Sequence, residues 1–453
     1  MVEKIKQSLR ESKSLRWIAL SLVSFTMLCG YYFEKATSAF KPELINTQGW
    51  NDLQFGIFRN SYMWLNVFAG MLVIGGIILD KMGERFTGIM ATIVMLFGAS
   101  ICGYALIGDF PVATQVIIAS IGFAIFCVGD EVAGITVSKV IVKWFKGKEL
   151  ALAMGLEMAA ARMGTGIALA FGLPFALKWG VPAPVVIGMG LLAVGMLAFI
   201  VYTGMDKKLE NSEPKVIQGD TGDTGKNKED AFKFSDILEI LKNQGFWLIA
   251  VLCVLFYSAV FPYLDFAVDL MIQKYKVDPK FAGYIPAMLP LGNILLTPVF
   301  GTIYDRKGKG ATIMAFGAVL LIIVHTIFSI PSFTHVGFAI AAVLLLGVGF
   351  SLVPSAMWPS VPKLIPERQL GTAYAMIFFI QNIGLGGVPL LIGWVLKNYC
   401  ITSPEGVTPL TYDYTLPMVI FLVFGILALV VAMMLKATDR KNGYGLELPN
   451  IKK

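Results

Sequence analysis

Long apolar stretches alternate with short polar ones along almost the whole chain. Twelve of the apolar stretches are long enough for a helix to cross a bilayer, which takes about 20 residues. We call them spans 1 to 12, and they predict an all-α integral membrane protein. Their expected limits are 17–40, 55–79, 87–108, 112–143, 149–178, 182–204, 244–275, 279–304, 310–332, 334–364, 368–396 and 413–437.

One long polar segment divides the spans six and six. Its charged residues, glycines and threonines are typical of a flexible linker. The chain is therefore expected to form two bundles of six helices each. The predicted segments are a basic leader (1–16), the N-terminal bundle (17–204), the linker (205–243), the C-terminal bundle (244–437) and a tail (438–453).

Composition supports a membrane protein and gives its predicted orientation. Hydrophobic residues make up 56% of the chain and charged residues 15%, whereas about 25% of a soluble protein is charged. Most lysines and arginines lie in the leader, the linker, the tail and the loops on the same side. The positive-inside rule then places both termini in the cytoplasm. The net charge of +7 is thus explained by the lipid bilayer, and no nucleic acid partner is expected.

The sequence contains no pattern typical of a cofactor site. Its five cysteines are scattered, so neither a disulfide nor a metal framework is predicted. No segment resembles a nucleotide-binding loop, so ATP is not expected as an energy source. We expect no metal, no cofactor and no catalytic residues, which argues against an enzyme.

Two opposite charges interrupt spans 4 and 5. Glu131 and Arg162 are nearly equidistant from Gly147, the expected turn between these spans. Two antiparallel helices would place both side chains roughly 20–25 Å from that turn, near the middle of a bilayer. Charges at that depth usually face a partner or a water-filled cavity. We therefore predict that they bind a solute, and the alternative is a permanent structural salt bridge.

A second pair of opposite charges lies nearer the same turn. Lys139 and Glu157 are expected to form an ion pair there, with a structural or gating role.

The two halves of the chain repeat each other. GIILDKMGER at 76–85 matches GTIYDRKGKG at 301–310, and the segment 148–166 matches 368–386. Parallel repeats of this kind build many transporters, with the solute site at the interface between the repeats. The repeat therefore predicts two pseudo-symmetric bundles.

The repeated motif G-x-x-x-D-[RK]-x-G-x-[RK] resembles the signature of the major facilitator superfamily. This resemblance implies the major facilitator fold, in which two bundles rock around a central site. The carboxylates and basic residues of the two motifs would form gates that break and re-form during rocking. The expected gating residues are Asp80, Lys81, Arg85, Asp305, Arg306, Lys139 and Glu157.

A narrower resemblance rests on WFKGKEL at 144–150, A-R-x-G at 161–164 and the segment 354–384. These segments are similar to the lysosomal dipeptide uniporter branch of the superfamily. The resemblance implies that Glu131 binds the ammonium of a dipeptide and Arg162 its carboxylate. The plain leader favours a bacterial inner membrane over a lysosomal membrane.

Other polar and aromatic residues are expected to line the central cavity. Those of spans 1 and 7 could instead belong to an aromatic belt at the membrane surface. In spans 10 and 11 the repeat suggests cavity lining, because Asn382 corresponds to Arg162. The further expected binding residues are Tyr31, Tyr32, Tyr257, Asp265, Trp358, Gln381 and Asn382.

These observations predict a monomeric transporter of a small zwitterionic solute, most simply a dipeptide. An organic-anion exchanger is the alternative, because Arg162 alone could bind a carboxylate. A transporter-like sensor that binds without moving its ligand is a third hypothesis. Substitution of Glu131 by Ala separates the first two, since anion exchange should survive it.

Overall fold

The computed structural model describes residues 12–145, 149–212, 234–366, 369–404 and 407–449. Within these ranges eleven helices are long and apolar enough to cross a bilayer, and a bent helix pair supplies a twelfth crossing. The predicted all-α membrane fold is confirmed. The unbroken spans are Lys13–Ala39 (span 1), Val112–Phe145 (4), Leu150–Trp179 (5), Ala183–Ser212 (6), Gln244–Gln273 (7), Tyr284–Lys307 (8), Gly310–Ser329 (9), Val336–Leu364 (10), Leu370–Tyr399 (11) and Thr415–Asn442 (12).

Span 2 is not the continuous helix that the sequence pattern predicts. It begins as Asp52–Asn60, passes through a π-helical turn at Trp64–Phe68, and continues into Met71–Ile107, which also contains span 3. Gly70 has φ +62°, in the left-handed region that favours glycine, so the chain can change direction there. Hydrophobicity alone does not reveal this break, because the π-helical turn Trp64–Phe68 is itself mostly apolar.

The two repeated motifs end spans 2 and 8 in the same way. Gly83 has φ +78° and Gly308 has φ +69°. A residue with a Cβ would be strained in this conformation, so glycine permits the sharp turn into the next span. The sequence repeat is therefore also a repeat of backbone structure.

Three short helices connect the spans, and the polar segments are shorter than predicted. Span 6 extends to Ser212 and span 12 to Asn442. After span 12 the tail folds back, so that Leu446 is buried and its carbonyl accepts a hydrogen bond from the Gly310 amide at 2.9 Å. The short helices are Lys41–Asn46, Phe234–Lys242 and Pro279–Ala282.

The helices pack as two bundles with one packing pattern. Span 1 contacts spans 5 and 6, and span 7 likewise contacts spans 11 and 12. Spans 3 and 9 occupy equivalent places against spans 4 and 10. Between the bundles span 2 packs on span 11, and span 5 on span 8. These two interfaces are related by the same pseudo-symmetry.

Glycines of the second repeat mark these interfaces. A Cβ added at Gly166 of span 5 would lie 3.0 Å from Leu291 of span 8. A Cβ added at Gly386 of span 11 would lie 2.4 Å from Met63 of span 2. Because the equivalent glycines meet the equivalent partner spans, small residues at these positions allow the bundles to approach each other closely.

Candidate functional site

A cavity of about 460 Å³ lies between the bundles. We call the side of the molecule on which the helices begin at Lys13 and Phe234 and end at Ser212 and Asn442 the linker face, and the opposite side the far face. The N-terminal bundle contributes Met27, Tyr31, Glu34, Lys35, Arg59, Tyr62, Asp130, Glu131, Gly134, Ile135, Ser138, Met158 and Arg162. The C-terminal bundle contributes Tyr257, Phe261, Pro262, Asp265, Trp358, Phe378, Gln381, Asn382 and Leu385.

Glu131 and Arg162 line this cavity without pairing with each other. Glu131 accepts a hydrogen bond from the Tyr62 hydroxyl. The Arg162 guanidinium lies 5.4 Å from the ring centre of Phe261 and 5.7 Å from that of Phe350. Within the described ranges, Arg162 forms no salt bridge with a carboxylate. The arginine is thus held by aromatic faces and can accept an anionic group.

The C-terminal bundle presents an aromatic wall. The Trp358 indole nitrogen donates a hydrogen bond to the Tyr257 hydroxyl at 3.0 Å. Its ring stacks on Phe378 with 4.8 Å between ring centres. Gln381 and Asn382 lie on the same side of the cavity. This wall offers apolar area for a side chain and a few polar groups to orient it.

Four charged residues close the cavity towards the far face, and we call them the far-face cluster: Glu34, Lys35, Arg59 and Asp265. The Asp265 carboxylate lies 2.7 Å from Lys35 and 3.1 Å from Arg59. The Glu34 carboxylate lies 3.2 Å from the Lys35 ammonium. The backbone carbonyl of Glu34 accepts a hydrogen bond from Arg59 at 2.8 Å. The cluster joins spans 1 and 2 to span 7, so it ties the two bundles together.

A second charged group reinforces this closure. Lys41 is fully buried, with its ammonium 2.7 Å from Asp52 and 2.6 Å from Asp269. The Tyr414 hydroxyl lies 3.1 Å from the same ammonium. Burial opposes the charge of Lys41, but the carboxylates of Asp269 and Asp52 outweigh it and raise the pKa of Lys41.

Towards the linker face the cavity is open. Met158, one helical turn from Arg162, has 60% of its surface exposed, and Phe378 has 41% exposed. Ser138, a polar lining residue on span 4, is exposed as well. The structure is therefore closed at the far face and accessible from the linker face.

Most of the expected binding residues meet in this cavity. Tyr31, Glu131, Arg162, Tyr257, Asp265, Trp358, Gln381 and Asn382 all line it. Tyr32 does not. Its ring packs inside the N-terminal bundle against Ala36 and Ala168. Neighbouring residues on a helix point about 100° apart, so Tyr31 and Tyr32 cannot both face the cavity.

The expected ion pair between Lys139 and Glu157 does not form. The Lys139 ammonium lies 3.4 Å from the Leu79 carbonyl oxygen within its own bundle. Glu157 makes no salt bridge within the described ranges. Equal distance from a turn gives similar depth but not the rotation of each helix, and rotation decides whether two side chains meet.

The expected gating residues lie at the linker face. Arg85 binds Asp206 at 3.3 Å, and Lys143 binds the same carboxylate at 2.9 Å. Lys81 and Arg306 are exposed, and Asp305 lies at the equivalent end of span 8. The side chain of Asp80 lies outside the described residues, as does the turn at 146–148.

Four residues that were not predicted to belong to the site also line the cavity, namely Arg59, Tyr62, Phe261 and Phe378. Arg59 carried a usable signal, because an arginine inside an apolar span is costly and usually functional. The aromatic residues carried none, since a membrane helix buries many such residues by packing alone.

Two bundles that meet around a charged central cavity define a secondary transporter, an integral multi-pass membrane protein and not an enzyme. The chain belongs to the Major Facilitator Superfamily, whose family profile matches residues 20–389.

The chain is also similar to individual transporters. The chain is 26% identical to the lysosomal dipeptide transporter MFSD1 of Danio rerio over 392 residues, covering 84% of this chain and 80% of that one. It is 25% identical to MFSD1 of Homo sapiens over 399 residues, with the same coverage. A bacterial homolog of the human lysosomal transporter Spinster, in an inward-facing and occupied conformation, superposes with a TM-score of 0.72 at 14% identity. The superposition covers 95% of this chain and 99% of the Spinster homolog, and it shows that the two proteins share a fold.

Proposed function

We propose that this transporter carries a small zwitterionic solute, namely a dipeptide, by alternating access. The observation that carries the proposal is that Glu131 and Arg162 line one cavity and do not neutralise each other. A permanent structural salt bridge, the alternative reading of this pair, would leave no opposite charges for a solute. Two separate charges of opposite sign suit the two ends of a zwitterion.

The roles of the lining residues follow from their chemistry. Glu131 binds the ammonium of the dipeptide, and Arg162 binds its carboxylate. The aromatic wall around Trp358 receives a side chain, while Gln381 and Asn382 hydrogen-bond the peptide group. The relationship to proteins named as dipeptide transporters supports this assignment.

We also propose an orientation for this cycle. The distribution of basic residues supports a cytoplasmic linker face. Release of the far-face cluster, together with closure at the linker face by the Arg85 and Asp305 regions, would then expose the site to the opposite side.

Organic-anion exchange is the second candidate, because Arg162 lines the cavity and forms no salt bridge within the described residues. In that case Glu131 would repel the solute, and its removal would leave exchange intact or improve it.

Thermal stabilisation of the purified protein tests both candidates, because a ligand that binds only the folded state raises the melting temperature. Alanyl-alanine, alanine and succinate form the panel. We expect alanyl-alanine to stabilise the wild type and to lose this effect in Glu131→Ala and in Arg162→Ala. Stabilisation by succinate alone, unchanged in Glu131→Ala, would refute the dipeptide proposal and support anion exchange.

A further inference from the structure

The charges that line the cavity do not balance. Seven ionisable acidic and basic side chains line it, four carboxylates and three cations. The far-face cluster uses two of each sign and is neutral by itself. The remaining groups are Asp130, Glu131 and Arg162, which together leave one negative charge in excess. A zwitterionic dipeptide has no net charge, so its binding does not remove this excess.

Among the residues that the structure describes, Asp130 is the cavity carboxyl group with no hydrogen-bond donor or cation as a partner. Its Oδ1 atom is inaccessible to solvent and accepts no hydrogen bond. In contrast, Glu131 accepts one from Tyr62, and Asp265 lies between Lys35 and Arg59. An ionised carboxylate oxygen that is enclosed without a donor or a cation is destabilised. The Asp130 side chain as a whole is half-buried and lines the cavity, so water in the cavity can still reach it. Of the cavity carboxyls, Asp130 is thus the one best suited to a change of charge.

The packing around Asp130 keeps a donor away. A Cβ added at Gly30 of span 1 would lie 2.3 Å from Asp130 Oδ1 and 2.8 Å from the terminal methyl group of Met95. Glycine at position 30 therefore lets the span 1 backbone press directly on the carboxyl group, with Met95 of span 3 beside it. Neither neighbour supplies a charge.

The other titratable and charged groups near Asp130 share the same cavity. Span 1 contributes Tyr31, Glu34 and Lys35, and span 2 contributes Arg59 and Tyr62. Glu131 is the residue after Asp130 on span 4, and Arg162 faces the cavity from span 5. The cations Lys35 and Arg59 lie within the far-face cluster. Arg162 is left for the solute's carboxylate.

We propose that Asp130 binds a proton in each transport cycle, so that one proton and one dipeptide cross the membrane together. This inference rests on the proposed function. The proton comes from water on the side to which the cavity is open, bonds to a carboxylate oxygen of Asp130, and returns to water on the other side. With this proton bound the occupied cavity is neutral, which lowers the cost of enclosing it between the two bundles.

Proteoliposomes that contain the pH indicator pyranine test the inference, with the membrane potential held at zero by valinomycin and potassium. An inward gradient of alanyl-alanine should acidify the lumen in the wild type. A pH difference of one unit should drive roughly tenfold accumulation of the dipeptide. Asp130→Asn is expected to retain exchange of labelled alanyl-alanine at equal pH, but to lose both the acidification and the accumulation.

Asp109→Asn is the matched control, because it makes the same chemical change on an exposed loop; it should behave as the wild type. Dipeptide movement without acidification in the wild type would overturn the inference even if Asp130→Asn did not fold. Persistent acidification in Asp130→Asn would overturn it as well. A wild type that neither binds nor exchanges alanyl-alanine would overturn the proposed function, and the inference with it.

Discussion

Lys35 and Asp265 form a salt bridge of 2.7 Å between span 1 and span 7. Both side chains are about 4% exposed, so the bond is shielded from water. Since the two spans belong to different bundles, the far face cannot open unless this contact breaks. The conformation in this structure therefore depends on a small number of buried charges.

Asp265→Asn should favour opening of the far face, because Glu34 would be the one carboxylate left to Lys35 and Arg59 among the described residues. Loss of one member of a buried ion pair costs roughly 3–5 kcal/mol, which corresponds to at least about a hundredfold change in population. Thr47 and Ser332 are exposed on the far face, one in each bundle. Spin labels at these two positions would report the distance between the bundles by double electron–electron resonance. We expect a larger fraction of long distances between the two labels in Asp265→Asn than in the wild type.

The control for this measurement is Asp109→Asn, an exposed carboxyl on a far-face loop. It should leave the distance distribution unchanged. An unchanged distribution in Asp265→Asn would show that the far-face cluster does not govern closure.

Gly393→Ala should hinder closure of the far face by a steric effect. An added Cβ at Gly393 of span 11 would lie 2.3 Å from the backbone oxygen of Asp52. Backbone atoms cannot move aside as a flexible side chain can, so the two spans must separate. The same spin labels should show a longer distance, and solute exchange should slow.

Gly387→Ala on the same helix is the matched substitution, because nothing lies within 4 Å of its added Cβ. Both changes raise helix propensity by a similar amount. Equal effects of the two variants would argue against close contact between spans 2 and 11 as the cause.

Trp358→Ala should weaken binding of dipeptides with large apolar side chains. It removes the stacking on Phe378 and the hydrogen bond to Tyr257. Burial of a large apolar side chain contributes about 1.5–3 kcal/mol, so a loss of affinity of roughly ten- to a hundredfold is expected for phenylalanyl-alanine. Competition binding against glycyl-glycine, which lacks such a side chain, provides the comparison. A uniform loss for both peptides would place Trp358 outside the side-chain pocket.

Asp206→Asn should destabilise the N-terminal bundle at the linker face. The buried Asp206 carboxylate accepts from Lys143 at 2.9 Å and from the Trp144 indole at 3.1 Å, and it pairs with Arg85. Loss of its charge should cost about 1–3 kcal/mol and lower the melting temperature by several degrees. Lys207→Gln, a neighbouring exposed position, should change it little. Equal melting temperatures for Asp206→Asn and the wild type would contradict this role.

Much of the site could be predicted from the chain because depth in a membrane follows residue count. Glu131 and Arg162 line one cavity, in line with their nearly equal distances from the expected turn. Asn382 lines it from the other bundle at the position that the repeat makes equivalent to Arg162. The use of these residues in solute binding stays a prediction.

Features that depend on helix rotation could not be predicted in this way. Tyr31 faces the cavity and Tyr32 does not, and Lys139 does not meet Glu157. A shift of one residue turns a side chain by about 100°, and in a membrane nearly every face of a helix is apolar. The rotation of each span is therefore poorly marked in its sequence.

By itself the sequence determined the membrane-spanning helices, the two-bundle repeat and the charged residues placed near mid-depth, because apolar length and sequence periodicity are local properties of the chain. Only the tertiary structure decided which charges neutralise each other. Arg59 and Lys35 meet Asp265 across the bundle interface, whereas Asp130 Oδ1 lies against Gly30 with no donor among the described residues. Pairing requires contact between residues far apart in the chain, and that contact arises only when the two bundles pack together.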